Sequence, residues 1–263
     1  MEVLKVHSTS LTSSFRFPHI HIGELPTYDM PPPSTIYGIL SAVLGEVITK
    51  EQASQLDFAY IFTYKGKEFD CETLHSTEIS SGKMAYKGKK YNKNIEITTN
   101  VQKRQFLFDC DFKLYLKSDN RELLELIKKS FLSTHFAYVL GRSQDLATCH
   151  SAEFIDLEEK KDNIFIHNSL IPFNWRQYIT VGEPVMMVNW LDYDKNREPS
   201  FKRYLQLLRR PLLIYNQSPD LVQNIPDTIY SDTTDIKTFD DTELTRALVF
   251  QKLFDLSDIY ATT

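Results

Sequence analysis

Cysteine is scarce in this chain of 263 residues: Cys71, Cys110 and Cys149 stand far apart, with no C-x-x-C pair among them. That excludes a disulfide framework and a zinc knuckle, and it points to a reducing, cytoplasmic compartment. Long apolar runs are missing as well. No stretch approaches the ~20 residues that span a bilayer, and Met1-Glu2-Val3-Leu4-Lys5-Val6 lacks the basic start and apolar run of a secretion signal. The chain is therefore read as soluble, with no membrane partner. Glycine is limited to 8 residues, and neither a P-loop nor a G-x-S-x-G elbow occurs. His19-Ile20-His21 would bring two imidazoles to one face of a strand, but no cysteine or carboxylate cluster completes a ligand shell. No metal and no cofactor is expected.

An overall basic balance is absent too. The net charge of −5 argues at first against nucleic acid. Its distribution reverses that impression. Over residues 82–104 seven cations, Lys83, Lys87, Lys89, Lys90, Lys93, Lys103 and Arg104, face Glu96 alone, whereas after Pro226 eight carboxylates outnumber three cations. The average conceals one basic and one acidic surface.

What is present is ample core material: 42% hydrophobic and 13% aromatic residues exclude wholesale disorder. Residues 2–8 read as a short strand. The prolines Pro31, Pro32 and Pro33 then fix an extended entry into a helix over 34–48, with Ser34 or Thr35 as its cap. Ile36, Leu40, Val43 and Val47 recur at helical spacing and are expected to face the core, while Gly38, Ser41, Ala42 and Gly45 keep another face narrow. The unsatisfied amides of such a helix start suit a phosphate. A buried helix packed tightly on a sheet fits the same residues.

Phe58, Tyr60, Phe62 and Tyr64 alternate as one face of a strand, and so do Phe106, Phe108, Cys110, Phe112, Leu114 and Leu116, opposite Asp109, Asp111 and Lys113. Between them lies an insertion at about 77–105, whose residues 94–101 alternate like one arm of a hairpin. Ser118, Asp119 or Asn120 caps a second helix carrying Leu123, Leu124, Ile127 and Phe131, and residues 140–143 mark a turn before a closing strand at 153–157. The order β-α-β-β-α-β predicts an α+β, ferredoxin-like or RRM-like domain over 1–157. Residues 158–263 are read as a smaller β-rich region beyond a charged linker at 158–162, with strands at 164–166, 184–190 and 212–215 and a helix over 241–254.

Three blocks carry a family resemblance: Ser14-Phe15-Arg16-Phe17-Pro18, then Pro32-Pro33-Ser34-Thr35-x-x-Gly38-x-Leu40-Ser41-Ala42-x-Leu44-Gly45, then Tyr138-Val139-Leu140-Gly141-Arg142-Ser143-Gln144-Asp145-Leu146. In this order, over most of the first 157 residues, the chain resembles the Cas protein family five subunits of type I CRISPR Cascade complexes. These are RAMP superfamily members, and the type I-B branch is the most similar. The resemblance implies an RRM-like RAMP domain with a long β-hairpin thumb and a non-catalytic role: binding and capping the 5′ handle of crRNA in antiviral defence. Expected partners are the crRNA, the Cascade backbone subunit and the large subunit. Target DNA would be met only indirectly, through the complex.

The residues expected at RNA follow from chemistry and resemblance together. Lys83, Lys87, Lys89, Lys90, Lys93, Lys103 and Arg104 neutralise phosphates, and Tyr86 and Tyr91 among them suit stacking on unpaired bases. Arg16 and Arg142 offer planar forks for phosphate oxygens, or serve as structural ion pairs. Gly141 admits close backbone approach, or simply makes a turn. Phe15, Ser34, Thr35, Tyr37, Gly38 and Ser143 complete the set by their place in the three blocks. Two other functions fit less well. Metal-independent cleavage of repeat RNA would need a base such as Tyr37 or His19 with a lysine of the insertion as electrophile; here the end of the first helix reads Val43-Leu44-Gly45-Glu46, without the tyrosine expected of a cutting relative. The other is an RNA-independent protein adaptor.

Overall fold

A computed structural model describes residues 1–20, 23–79, 83–92, 95–215, 220–222, 225 and 228–255. The protein is mostly β-sheet with few helices. Its first part contains β1 (Glu2–Ser13), α1 (Pro33–Leu44), β2 (Asp57–Thr63), β3 (Gly66–Ile79), β4 (Ile95–Lys117), α2 (Arg121–Leu132) and β5 (Ala147–Asp156). The sheet runs β5-β1-β4-β2, with every neighbouring pair antiparallel. Both helices bury their apolar stripes in one core: Ile36, Leu40 and Val43 from α1, Leu123, Leu124, Ile127 and Phe131 from α2, against Leu4, Val6, Phe58, Tyr60, Phe62, Phe112, Leu114 and Leu116. Each such side chain contributes roughly 1.5–3 kcal/mol by leaving water.

Several local expectations change. The first strand runs to Ser13 rather than residue 8, because β4 and β5 pair with it on both sides as far as its serine- and threonine-rich end. The first helix starts at Pro33, with Pro32 at the N-cap and no side-chain cap, so Ser34 and Thr35 lie inside the first turn instead of capping it. A proline at the first helical position is preorganised in φ and lacks an amide that would otherwise go unpaired. The helix stops at Leu44, where Gly45 adopts φ +85°, and Val47 is left 51% exposed rather than facing the core. The closing strand begins earlier than expected, at Ala147.

The aromatic strand is covered on both faces, with Ala59 and Ile61 meeting Val3, Tyr115, Leu157 and Leu248 on the side away from the helices. In β4 the alternation reverses at Asp109, whose φ is +54°. Beyond that break Leu107 turns into the core and Phe108 is 43% exposed, the opposite of the expected alternation. Asn120 is the cap of α2, its side chain accepting from the Leu123 amide.

The second part is β-rich. A five-stranded sheet runs Leu212–Ile214, Ile164–Ile166, Thr242–Leu248, Tyr230–Phe239, Glu158–Glu159, and a three-stranded sheet joins Ser169–Pro172, Glu198–Leu207 and Glu183–Asp192. The expected helix over 241–254 is absent. Asp240 and Asp241 both take positive φ and connect paired Phe239 and Thr242, so the segment folds as a two-residue hairpin whose turn matches strand twist.

The two parts share core and sheet. Gln251–Lys252 pairs with Asp57 and Phe58 on the edge of the first sheet. Tyr37 packs on Trp190 with ring centroids 4.0 Å apart, and Trp190 meets Phe254 at 4.6 Å. Ser169 donates to the Tyr60 carbonyl at 2.7 Å and Tyr28 to that of Met186 at 2.9 Å.

Candidate functional site

Beyond the sheet, β3 and the first part of β4 continue as a two-stranded antiparallel ribbon paired from Gly66–Phe108 to Ile79–Ile95. At ~3.4 Å per residue it reaches about 45 Å. The expected insertion at 77–105 is thus the outer part of a longer hairpin in which both arms are strands. Past it, Lys83–Tyr86 pairs with Lys89–Asn92 around Lys87 and Gly88, both at positive φ. Lys83, Lys87 and Lys89 are exposed there. The backbones of Tyr86, Lys90 and Tyr91 belong to these tip strands; their side chains and the whole of Lys93 lie outside the described residues.

Directly opposed residues of an antiparallel pair share a face, and the two faces of this ribbon differ. One bears Glu68, Asp70 and Glu72 opposite Phe106, Arg104 and Gln102. The other bears Phe69, Cys71, Thr73, His75 and Thr77 opposite Gln105, Lys103, Val101, Thr99 and Ile97, with Phe69, Ile97 and Val101 largely exposed. The described cations therefore gather at the tip and at the base, where Glu68, Asp70 and Glu72 lie among them, and the described side chains of the shaft beyond Glu72 include no Asp, Glu, Lys or Arg.

At the base, the turn after α2 grips the ribbon. Gly141, at φ +129°, lies against the Ser14 backbone; a Cβ there would stand 2.7 Å from the Ser14 nitrogen, so the close approach is to this chain itself. The Arg142 backbone N–H and Nε donate to Asp145 Oδ2 at 2.8 and 3.0 Å, and Nη2 donates to Oδ1 at 2.9 Å. Asp145 is 1% exposed and also accepts from Thr12 at 2.6 Å. The third guanidinium nitrogen, Nη1, donates to Glu72 Oε1 at 2.6 Å. Burial works against the charge of Arg142, but its hydrogen bonds to Asp145 and Glu72 outweigh that and hold its pKa above the ordinary value. Arg142 thus forms the structural ion pairs that its sequence context left open.

Other expected residues converge on the same place. Arg104 Nε lies 2.7 Å from Glu72 Oε2, at an angle too oblique for a hydrogen bond. Lys103 meets Glu24 at 3.4 Å, and Ser14 donates to the Gln105 carbonyl at 2.8 Å. Arg16 is exposed and bridges to Thr27, whose amide donates to Gln105 Oε1. Ser143 is exposed on the gripping turn.

Two residues of the set, Phe15 and Tyr37, are buried. Phe15 is 2% exposed, edge-on to Phe62, and Tyr37 is 1% exposed beneath Trp190, so both are core side chains rather than surface contacts. Their aromatic character fits a core as readily as a base stack. Ser34 and Thr35 are half-buried in the first turn of α1, and the Thr35 amide is already spent on the Pro32 carbonyl at 2.8 Å. Gly38 would place a Cβ with nothing within 4 Å, so no neighbour among the described residues requires glycine there. Asp29, just before the proline entry, accepts from Lys67 of the ribbon base at 2.7 Å, tying α1's approach to the same region.

Sequence reasoning missed Glu72 and Asp145; the available signal was Asp145 three residues after Arg142, within reach of a guanidinium. It also missed a histidine pair on the open face of the sheet. The pairing of β1 with β5 shifts register at His7/Ser8, which leaves His150 without an opposed residue, and its ring lies 5.3 Å from that of His7. His7 Nε2 is 2.7 Å from Asp111 Oδ2, and His150 Nε2 is 2.7 Å from Thr9 Oγ1. Among the described residues no group of three or more His, Cys, Asp or Glu side chains is arranged to hold a metal ion, and no helix is long and apolar enough to cross a membrane.

Comparison with known proteins adds three findings. The family described as CRISPR-associated protein (Cas_Cas5) matches residues 4–203. Among solved structures, a chain described as a CRISPR RNA-guided surveillance complex shares the fold, with TM-score 0.50 and 14% identity over 81% of this chain and 90% of that one. A CRISPR protein from Archaeoglobus fulgidus matches more loosely, with TM-score 0.40 and 10% identity over 93% and 99% of the two chains. No curated protein sequence matches.

Proposed function

We infer the function from one premise: this chain belongs to the CRISPR-associated Cas5 family. It acts as a non-catalytic subunit of a CRISPR RNA-guided effector complex, of type I and closest to the I-B branch, and it holds the 5′ handle of the guide RNA. The β5-β1-β4-β2 sheet with its two helices serves as the RRM-like body, and the ribbon is the thumb. One observation carries the reading: an acidic protein concentrates exposed lysines at the far end of a ribbon of about 45 Å that has no core of its own. Such a reach suits a strand of RNA lying outside the body, where lysines neutralise phosphates.

The start of α1 supports a second contact. A glycine in a helix costs about 1 kcal/mol against alanine, and Gly38 has no neighbour among the described residues that explains it. The space above it admits a handle phosphate close to the backbone. The backbone and large subunits of the complex are the expected protein partners.

Charge reversal at Lys87, Lys89 and Lys90 tests the reading. Guide retention should weaken, and the slope of log affinity against log salt should flatten by roughly 0.7 per lost phosphate contact. Unchanged retention and slope would overturn it. An adaptor that ignores RNA would instead assemble with its partners equally well when guide is withheld.

Metal-independent RNA cleavage is the second reading, and the His7–His150 pair is the observation that favours it. One imidazole would take the 2′-OH proton and the other protonate the departing 5′-oxygen; Tyr37, enclosed under Trp190, is poorly placed for such work. Incubation of repeat RNA with the protein in chelator decides it: cleavage lost in both His7→Ala and His150→Ala would replace the binding-only reading.

A further inference from the structure

Glu72 is one of the points at which ribbon and body are fastened, and it joins both ribbon strands to the gripping turn. Its Oε1 accepts from Arg142 Nη1 at 2.6 Å and from Gln144 Nε2 at 2.9 Å, both on the gripping turn. Its Oε2 lies 2.7 Å from Arg104 on the opposite ribbon strand. The side chains of Arg142, Glu72 and Arg104 are only 9%, 16% and 13% exposed, so water and salt screen this cluster weakly. Arg142 in turn is clamped by Asp145, and the turn is seated on Ser14 by Gly141.

A two-stranded ribbon without a core is marginal by itself and twists readily. Its direction must be set where it leaves the body. Ile79 lies seven residues beyond Glu72, about 24 Å along the strand, so Glu72 does not reach what the tip reaches. A swing of about 10° at the base still carries a point roughly 30 Å out by ~5 Å.

We propose that Glu72 is a positioning residue that aims the ribbon and delivers the tip lysines to RNA. This rests on the reading above that the tip holds RNA, and it predicts a sign opposite to simple electrostatics. Removing a carboxylate from a protein that binds a polyanion ordinarily tightens binding. Glu72→Gln should instead weaken it.

The test uses the full chain and single-stranded repeat RNA. Glu72→Gln is expected to weaken binding roughly three- to ten-fold, whereas Glu68→Gln, on the same ribbon face but exposed, leaves binding unchanged or tighter. In a Lys83→Glu, Lys87→Glu, Lys89→Glu, Lys90→Glu background, Glu72→Gln should have little further effect, because the tip cations it positions are reversed. Amide hydrogen exchange without RNA supplies an independent arm: ribbon amides should exchange faster in Glu72→Gln, with β1 and β2 unchanged. Tighter or equal binding by Glu72→Gln, additive losses, or unaltered ribbon exchange would each overturn the proposal. Failure of the tip reading is distinguishable, since the lysine variants would then bind like the parent while the exchange arm still reports on Glu72.

Discussion

Lys5 and Asp232, at opposite ends of the chain, meet at 2.7 Å with side chains 16% and 2% exposed. Tyr115 also donates to Asp232, at 3.0 Å, so one carboxylate on Tyr230–Phe239 ties the second part to both β1 and β4. Asp232→Ala would strand Lys5 in a half-buried setting and is expected to cost about 3–5 kcal/mol, read as a lower midpoint in urea. Asp232→Asn, which still accepts a hydrogen bond, should cost less.

The same carboxylate predicts an acid limb. Burial pushes its pKa up, but the hydrogen bonds from Lys5 and Thr234 prevail and hold it below the ordinary carboxylate value. Its contribution to stability is therefore complete above the unfolded value of about 4 and fades as the pH falls through the lower folded value. The parent should lose stability in that range more steeply than Asp232→Asn does, as followed by urea unfolding at stepped pH.

Glycines 38 and 141 should respond in opposite directions. Gly38→Ala meets empty space in a helix and is expected to raise stability by about 0.5–1 kcal/mol. If the start of α1 seats a phosphate, the same variant should hold guide RNA less well, which makes a more stable protein that binds worse. Gly141→Ala faces immovable backbone at 2.7 Å and a positive φ, and should destabilise by more than about 1 kcal/mol.

The ribbon should be the least protected regular structure in the free protein. Phe69, Ile97 and Val101 are largely exposed, and among the described residues no second layer covers them. Amides of Phe69–Thr77 and Ile97–Val101 are expected to exchange far faster than those of β1 and β2. Protection gained on adding guide RNA would mark the ribbon as part of the bound surface.

The sequence made the apolar framework legible because the framework depends on periodicity. Leu123, Leu124, Ile127 and Phe131 occupy the buried stripe their spacing predicted, and Phe58, Tyr60 and Phe62 face the core. Single-residue geometry was not legible. Asp109 at positive φ inverts the face of Leu107 and Phe108, and Asp240-Asp241 turns an apolar run into a hairpin rather than a helix. For the candidate site, the lysine-rich tip could be read directly from charge spacing. The role of Arg142 could not, because its partner Glu72 lies 70 residues earlier and only the ribbon's register brings them together. Phe15 and Tyr37 show the converse limit: their neighbours suggested a surface, yet Phe62 and Trp190 enclose them.

The pairing of Gln251–Lys252 with β2 also bears on how the molecule is made. During synthesis the edge of the first sheet stays open, and the aromatic floor under α1 lacks Phe254, until residues 251–254 have emerged. A short strand late in the sequence thus closes an edge laid down near its beginning, so the first sheet cannot finish folding before the second part has been made.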